Sequence, residues 1–327
     1  MNVIRQYNRV KFDNTLLHPR SMSWDVTNRC NLRCQHCFNA SGDSRCHDFS
    51  SELSSDEALA LAEQIVELKP EQCCICGGEP LLHPNLFEII DILVKGGIMV
   101  NMVSNGLLLT EDVAKKMKEV NITSVQISVD GLGYQHDIFR NMKGSFDKAI
   151  NALKILIRND IKSLTSFCPN TINYKSYPEY VSYISSIGCK TIRSMPLLPL
   201  GRGMENFSYL YLDSKKTFEF VELVNHMREK YPDMELEWGD PLEHLYLVLL
   251  RKRKYPIVMG IKSNGDLTVT PYLPIKVGNI KTKTLKEYWM NGYNEIWDNK
   301  EILNRIREIK TVVDFSNAED LQYDVCI

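Results

Sequence analysis

The stretch SWDVTNRCNLRCQHC, residues 23–37, decides how the rest of the chain is read. Its first five residues alternate and branch like a short strand. The strand runs straight into Cys30, Cys34 and Cys37, a C-x₃-C-x₂-C spacing. Three thiolates so spaced reach one polynuclear centre from a single loop. Structural zinc takes four protein ligands in closed tetrahedral geometry. Three cysteines would then need His36, His47 or a distant residue as the fourth. An iron–sulfur cube takes one thiolate per iron, so three cysteines leave its fourth iron open to a small molecule. The spacing alone leaves both open, the zinc reading being that of a structural or adaptor protein.

Working outward, five more runs read as buried strands: QCCIC from Gln72, IMVNMV from Ile98, SVQISV from Ser124, SLTSF from Ser163 and KTIRSM from Lys190. Most are followed by a helical pattern. Ser54 and Glu57 stand in capping-box spacing, ahead of Ala58, Leu61, Ala62 and Ile65 on one face. Leu86, Ile89, Ile90 and Leu93 repeat the pattern until Gly96-Gly97 stops it. Thr110 caps a helix expected to turn Val113, Met117 and Val120 inward. Further stripes are Phe146, Ala149, Ile150, Leu153 and Ile157; Val181, Ile184 and Ile187; and Phe220, Val221, Val224 and Met227. Six strand–helix units imply parallel strands with right-handed crossovers, as a doubly wound sheet or part of a (β/α) barrel. In either, function sits at the C-terminal strand ends. After about residue 250 the pattern changes to two extended runs around Asn264-Gly265-Asp266, a hairpin signal, then a helical segment near Leu285–Trp297.

The 327 residues are 44% hydrophobic and 24% charged, which excludes a disordered or collagen-like chain. Lys+Arg number 39 against 41 Asp+Glu, so no basic excess points to nucleic acid or an anionic membrane. No apolar run approaches the roughly 18 residues of a membrane span, and the N-terminus lacks a signal core. Ten cysteines in such a chain read as metal or redox chemistry rather than disulfides, which places the protein in a reducing cytoplasm.

CNLRCQHC resembles the signature of the radical S-adenosylmethionine (radical SAM) superfamily. The resemblance implies that Cys30, Cys34 and Cys37 bind one [4Fe–4S] cluster. Its open iron is chelated by the amino and carboxylate groups of SAM, and the reduced cluster cleaves SAM to methionine and a 5′-deoxyadenosyl radical. Three more matches follow in order. Gly77-Gly78-Glu79-Pro80 resembles the GGEP motif, with glycines letting backbone approach a ligand and Glu79 suited to the SAM ammonium. Ser104-Asn105-Gly106 resembles (T/S)NG, and Ser128-Val129-Asp130-Gly131 resembles S-x-D-G. Arg140 is a candidate partner for the SAM carboxylate, and His36 fills a slot near the adenine. For Ser128, Asp130 and Arg140 the plain alternative is loop capping and a surface ion pair; for His36 it is a solvent-facing imidazole. The expected fold is α/β: a partial (β/α)₆ TIM-like barrel over residues 21–232, after an extension over 1–20, with a small α+β appendage over 233–327.

The appendage resembles the SPASM/twitch subgroup in IRSMPLLPLGRG, the hairpin, a GNI turn and a helix. It departs in its cysteines. Met259 precedes Gly260 and Pro271-Tyr272 follows the second run, where the subgroup carries auxiliary-cluster ligands; from 255 onward only Cys326 remains. No auxiliary cluster is expected, since one needs about four thiolates. Cys73, Cys74 and Cys76 read as core of the second strand. Cys168, at a strand's C-terminal end, Cys326 and Cys46 are candidate hydrogen-atom donors, otherwise bystanders. The resemblance implies hydrogen abstraction from a peptide (epimerisation, crosslinking or other maturation), or from a small molecule such as a sugar, nucleoside or tetrapyrrole. It also implies an electron donor such as flavodoxin or ferredoxin. About 20 residues precede the first strand, too few for a peptide-binding domain, so a leader peptide would be recognised in trans.

Overall fold

In the computed structural model, residues 18–239, 241–249, 258–273 and 275–315 are described; Cys326 and most of the 1–20 extension lie outside them. Of SWDVT, Ser23-Trp24-Asp25 form the second half of β1 (Ser21–Asp25). The other expected strands are β2 (Gln72–Cys76), β3 (Met99–Ser104), β4 (Ser124–Ser128), β5 (Ser163–Phe167) and β6 (Thr191–Ser194). All six are parallel to their neighbours, and a seventh parallel strand, β7 (Glu235–Trp238), extends the series beyond β6. The fold is the expected α/β partial barrel.

The hairpin consists of β8 (Val258–Ile261) and β9 (Asp266–Thr268), with Gly265 at φ +86° in the turn, and β10 (Lys276–Asn279) pairs antiparallel with β9. It continues the barrel sheet instead of standing apart. β8 lies parallel to β1, with Trp24 opposite Ile261, and the sheet order is β10-β9-β8-β1-β2-β3-β4-β5-β6-β7.

The helices form where the sequence stripes place them. Helix α1 (Ser55–Leu68) starts at Ser54 with both capping-box hydrogen bonds to Glu57, and turns Leu61, Ala62 and Ile65 into the core. Helix α2 (Leu86–Lys95) ends at Gly96-Gly97, where Gly97 takes φ +83°. Thr110 caps α3 (Glu111–Glu119), but Ala114 and Met117 are its buried residues, while Val113 and Val120 are half-buried. A short helix with no expected stripe, α4 (Tyr134–Arg140), precedes α5 (Ser145–Arg158). Each fully buried Leu or Ile on these faces contributes about 1.5–3 kcal/mol. Beyond the hairpin, the expected helix is two pieces, Leu285–Met290 and a 3₁₀ turn Tyr293–Asp298, split at Gly292.

The strands have two distinct faces. Met22, Trp24, Cys73, Ile75, Val100, Met102, Val125 and Ile127 are at most 1% exposed in the core that includes the helices. The other face lines the lumen and is polar. Ser124 donates to Asn101, Ser166 to Ser128, and Arg193 to Glu237. Among the described residues no helix is long and apolar enough to cross a membrane.

Candidate active site

The parallel register brings the C-terminal strand ends to one rim, with Asp25 opposite Cys76 and Ser128 opposite Ser166. The cysteine loop leaves β1 on that rim. Cys34 is buried, and Cys30 and Cys37 are half-buried. Burial pushes the Cys30 thiol up to about 12 and the Cys34 thiol up as well, the latter opposed by Arg140. Ionisation of such buried thiols needs nearby positive charge, from Arg140 or from a bound metal centre. Donors already face the sulfurs: Leu32 N to Cys30 Sγ at 3.4 Å, Ser41 N to Cys37 Sγ at 3.4 Å, and Arg140 Nη1 to Cys34 Sγ at 3.6 Å. This donor set fits a cluster held by three thiolates. His47, a possible fourth zinc ligand in the sequence reading, pairs with Asn28 and the Asn39 carbonyl.

The GGEP loop lies against the cysteine loop. Gly78 N donates to Thr27 O at 2.7 Å, and Glu79 N to Arg29 O at 2.9 Å. A Cβ on Gly77 would stand 2.3 Å from Thr27 O, and one on Gly78 2.2 Å from Arg29 O. The glycines therefore admit the cysteine loop at close range. Glu79 is fully buried and accepts from Ser104 Oγ (2.8 Å), Asn105 N (2.8 Å) and Leu81 N (3.2 Å). Burial pushes its pKa up, and these hydrogen bonds oppose the shift. A carboxylate offers about four lone-pair sites, so three filled sites leave capacity for one cationic donor. Pro80, buried, opens the 3₁₀ turn after Glu79. Asn105 also reaches Asn31 Oδ1 at 2.7 Å, tying the third strand's loop to the cysteine loop.

Asp130 and Arg140 meet in a buried pair, while Ser128 accepts from Ser166 Oγ at 3.4 Å. Arg140 Nη2 is 2.5 Å from Asp130 Oδ2, and its Nη1 faces Cys34. The pair is 10% and 1% exposed, so it is no surface ion pair. Asp130 Oδ1 accepts from Cys168 N at 2.7 Å. Asp130 thus organises β4, β5 and the short helix α4, and Arg140 serves a cysteine sulfur as well as Asp130. The His36 ring stacks on Phe139 at 4.1 Å, and its buried Nδ1 has no partner. Burial, reinforced by Arg140, keeps it neutral.

Two contributions escaped sequence reading. Arg202, which opens the short helix Arg202–Glu205 after β6, donates to Cys34 O (2.9 Å) and Ser41 O (3.0 Å), while its own N–H donates to Cys37 O (3.0 Å). Gly201 beside it sits at φ +51°, where a Cβ would be 2.6 Å from Phe38 O. A lone Arg between glycines was the available signal. Lys262, just past β8, pairs with Asp25 (2.9 Å) and Asn39 (3.2 Å), so the hairpin braces the segment after Cys37.

The cysteines divide by place. Cys73 is core, as expected, but Cys74 and Cys76 are half-buried on the lumen face, which corrects their assignment to the core. Their Sγ atoms are 3.4 Å apart. Cys168 packs beside the small cluster of Phe139, Leu197 and Leu210. Cys46 is exposed in the loop that follows the cysteine loop, outside this rim cluster.

A parallel partial barrel whose first strand runs into a three-cysteine loop, packed on a buried glutamate loop, places the site at the C-terminal rim of the strands. The chain belongs to the radical SAM superfamily, whose family model matches residues 24–184. That membership overturns the zinc-adaptor reading and makes the protein an enzyme. An AdoMet-dependent heme synthase of Methanosarcina barkeri is 24% identical over 89% of this chain and 85% of its own length. The sporulation killing factor maturation protein SkfB of Bacillus subtilis is 28% identical over 68% of the chain, which spans 52% of that protein. Streptococcus suis SuiB, solved with its precursor peptide SuiA, superposes with TM-score 0.69 at 15% identity, over 95% of this chain and 71% of that one. Its likeness is one of fold.

Proposed function

We propose that Cys30, Cys34 and Cys37 hold one [4Fe–4S] cluster and that Glu79 receives the ammonium of SAM, in an enzyme that abstracts a hydrogen atom from a peptide. When bound, the reduced cluster and SAM supply a 5′-deoxyadenosyl radical. The chain's own residues supply placement. Ser104, Asn105 and Leu81 orient the Glu79 carboxylate and leave one acceptor site open toward the rim. Gly77 and Gly78 let that carboxylate approach the cysteine loop. Neutral His36, braced by Phe139, offers an apolar ring and one free nitrogen to an adenine. Asp130 and Arg140 position Cys34, and Ser128 lines the same rim. The buried, three-donor Glu79 beside the cysteine loop is the observation that carries this reading.

The lack of cysteines between 255 and 315 argues for a single cluster. A single cluster fits a redox-neutral outcome better than an oxidation that would need a second cluster as electron acceptor. A cytoplasmic low-potential donor such as flavodoxin or ferredoxin supplies the electron. The peptide reading draws on SkfB and SuiB. A haem-precursor substrate is the second reading, favoured by the heme synthase because that likeness spans 85% of the relative.

Anaerobic reconstitution with iron and sulfide, followed by SAM and dithionite, tests the site. About four irons per chain and release of 5′-deoxyadenosine are expected. SAM cleavage that survives Cys34→Ala would sink the assignment. Stimulation of 5′-deoxyadenosine release by short peptides, and not by haem precursors, separates the two substrates.

A further inference from the structure

The geometry points to Cys74 and Cys76 as a hydrogen-donating thiol pair in the reaction chamber, with Cys76 the donor. This rests on the hydrogen-abstraction reading above and names the group that ends it. Strand alternation sends Cys73 and Ile75, both fully buried, toward the helices. It sends Cys74 and Cys76 into the polar lumen, half-buried, with sulfurs 3.4 Å apart and Ser23 Oγ 3.9 Å from Cys76 Sγ. Cys76 is the last residue of β2 and directly precedes Gly77-Gly78-Glu79, so the pair sits just below the proposed ammonium site. Of the expected donors among the described residues, Cys46 is on the surface and half-buried Cys168 packs against Phe139, Leu197 and Leu210.

The lumen wall around the pair is closed by Tyr272, whose hydroxyl is pushed up to about 12 by burial and by Cys76 and Cys74 beside it. Arg193, on β6, acts on Cys74 through space. The hydrogen bond to Cys74, with burial, pushes the Cys76 thiol well up and keeps its proton in place. A protonated thiol in contact with a second sulfur is a good hydrogen-atom donor, because sulfur is polarizable and the S–H bond is weak beside a C–H bond.

A substrate carbon radical takes the Cys76 hydrogen atom; the S–H bond breaks, a C–H bond forms, and the unpaired electron passes to sulfur, in contact with Cys74. One electron from the low-potential donor protein and one proton from solvent restore the thiol. The substrate gains and loses one hydrogen atom, so the result is redox-neutral, as in inversion of a carbon centre.

The test needs no substrate. Cluster-loaded enzyme in D₂O is given SAM and dithionite, and deuterium is measured per 5′-deoxyadenosine formed. Thiols exchange to S–D and deliver deuterium to the 5′ carbon, whereas water's O–D bond is too strong to do so. Wild type is expected to yield labelled product, and Cys76→Ser to lose the label. Unchanged label in Cys76→Ser, or loss on Cys168→Ser instead, overturns the assignment. Absence of any 5′-deoxyadenosine from wild type overturns the underlying radical reading with it. Phenylarsine oxide titration of the same loaded protein reads the pair without turnover. One equivalent bound by wild type and none by Cys74→Ser or Cys76→Ser supports the pair; equal binding by the variants refutes it.

Discussion

Glu79 shows what one residue can be asked to do. It is fully buried, and its ionised form rests on three donors. Glu79→Gln removes the charge that would meet the SAM ammonium. A hydrogen bond to a charged group contributes about 1.5–3 kcal/mol, so SAM affinity should fall roughly 10- to 100-fold, read by equilibrium dialysis of the cluster-loaded protein. Unchanged affinity would reassign the ammonium site. His136 makes a second residue-scale prediction. Its Nδ1 accepts from Asp130 N at 3.0 Å, so it works as the neutral ring. Burial, with Arg140 nearby, pushes its pKa from 6.5 down to about 3. The unfolded chain therefore takes up the proton first. Stability present above about pH 6.5 is lost as pH falls below it. The urea midpoint should drop from pH 6.5 to 5, and less steeply in His136→Gln; parallel curves would exclude His136 as the cause. Glu79 was legible because GGEP is contiguous. Arg202 was not, because its partners Cys34 and Ser41 are more than 160 residues away along the chain.

At the scale of elements, two loops act as one part. The β2 loop donates to the cysteine loop through Gly78 and Glu79, and the short helix after β6 clamps it through Arg202. Gly78→Ala would drive a Cβ to 2.2 Å from Arg29 O, against backbone that cannot swing aside. The loops must separate, so Gly78→Ala should fold yet lose most of its iron and its cluster absorbance on desalting. Gly239→Ala, where the added Cβ would meet only Ser194 O at 3.8 Å, is the control that keeps iron. Full iron retention by Gly78→Ala would show that loop apposition is dispensable. Strands and most helices were legible from alternation and stripes. Which face of β2 is core was not: QCCIC places a thiol on both faces, and only the pairing with β1 and β3 shows that Cys74 and Cys76 face inward. Helix α4 was missed because seven residues carry too little periodicity.

At the scale of the whole molecule, the C-terminal segment behaves as part of the barrel. Sequence reading separated it at residue 233 because the strand–helix rhythm stops, but rhythm records connection and not pairing. β8 lies against β1, and Lys262 reaches Asp25 at the rim. The helix Leu285–Met290 lies on α1, where Leu285 N donates to Gln64 at 3.0 Å and Lys286 pairs with Glu67 at 2.7 Å. The exposed ion pair contributes little; the shared sheet and core carry the coupling. Ile261 on β8 is 1% exposed in the same cluster as Trp24 and Ile65. Ile261→Ala should therefore destabilise barrel and hairpin together by about 2–5 kcal/mol. Circular dichroism and tryptophan fluorescence should report one coincident urea transition, shifted equally by both probes. Trp24 reports the barrel and Trp289 the C-terminal helix, both at most 1% exposed. If Trp289 fluorescence changes first while β1 amides stay protected from exchange, the hairpin is a separable unit, and Lys262 cannot brace the cysteine loop through folding.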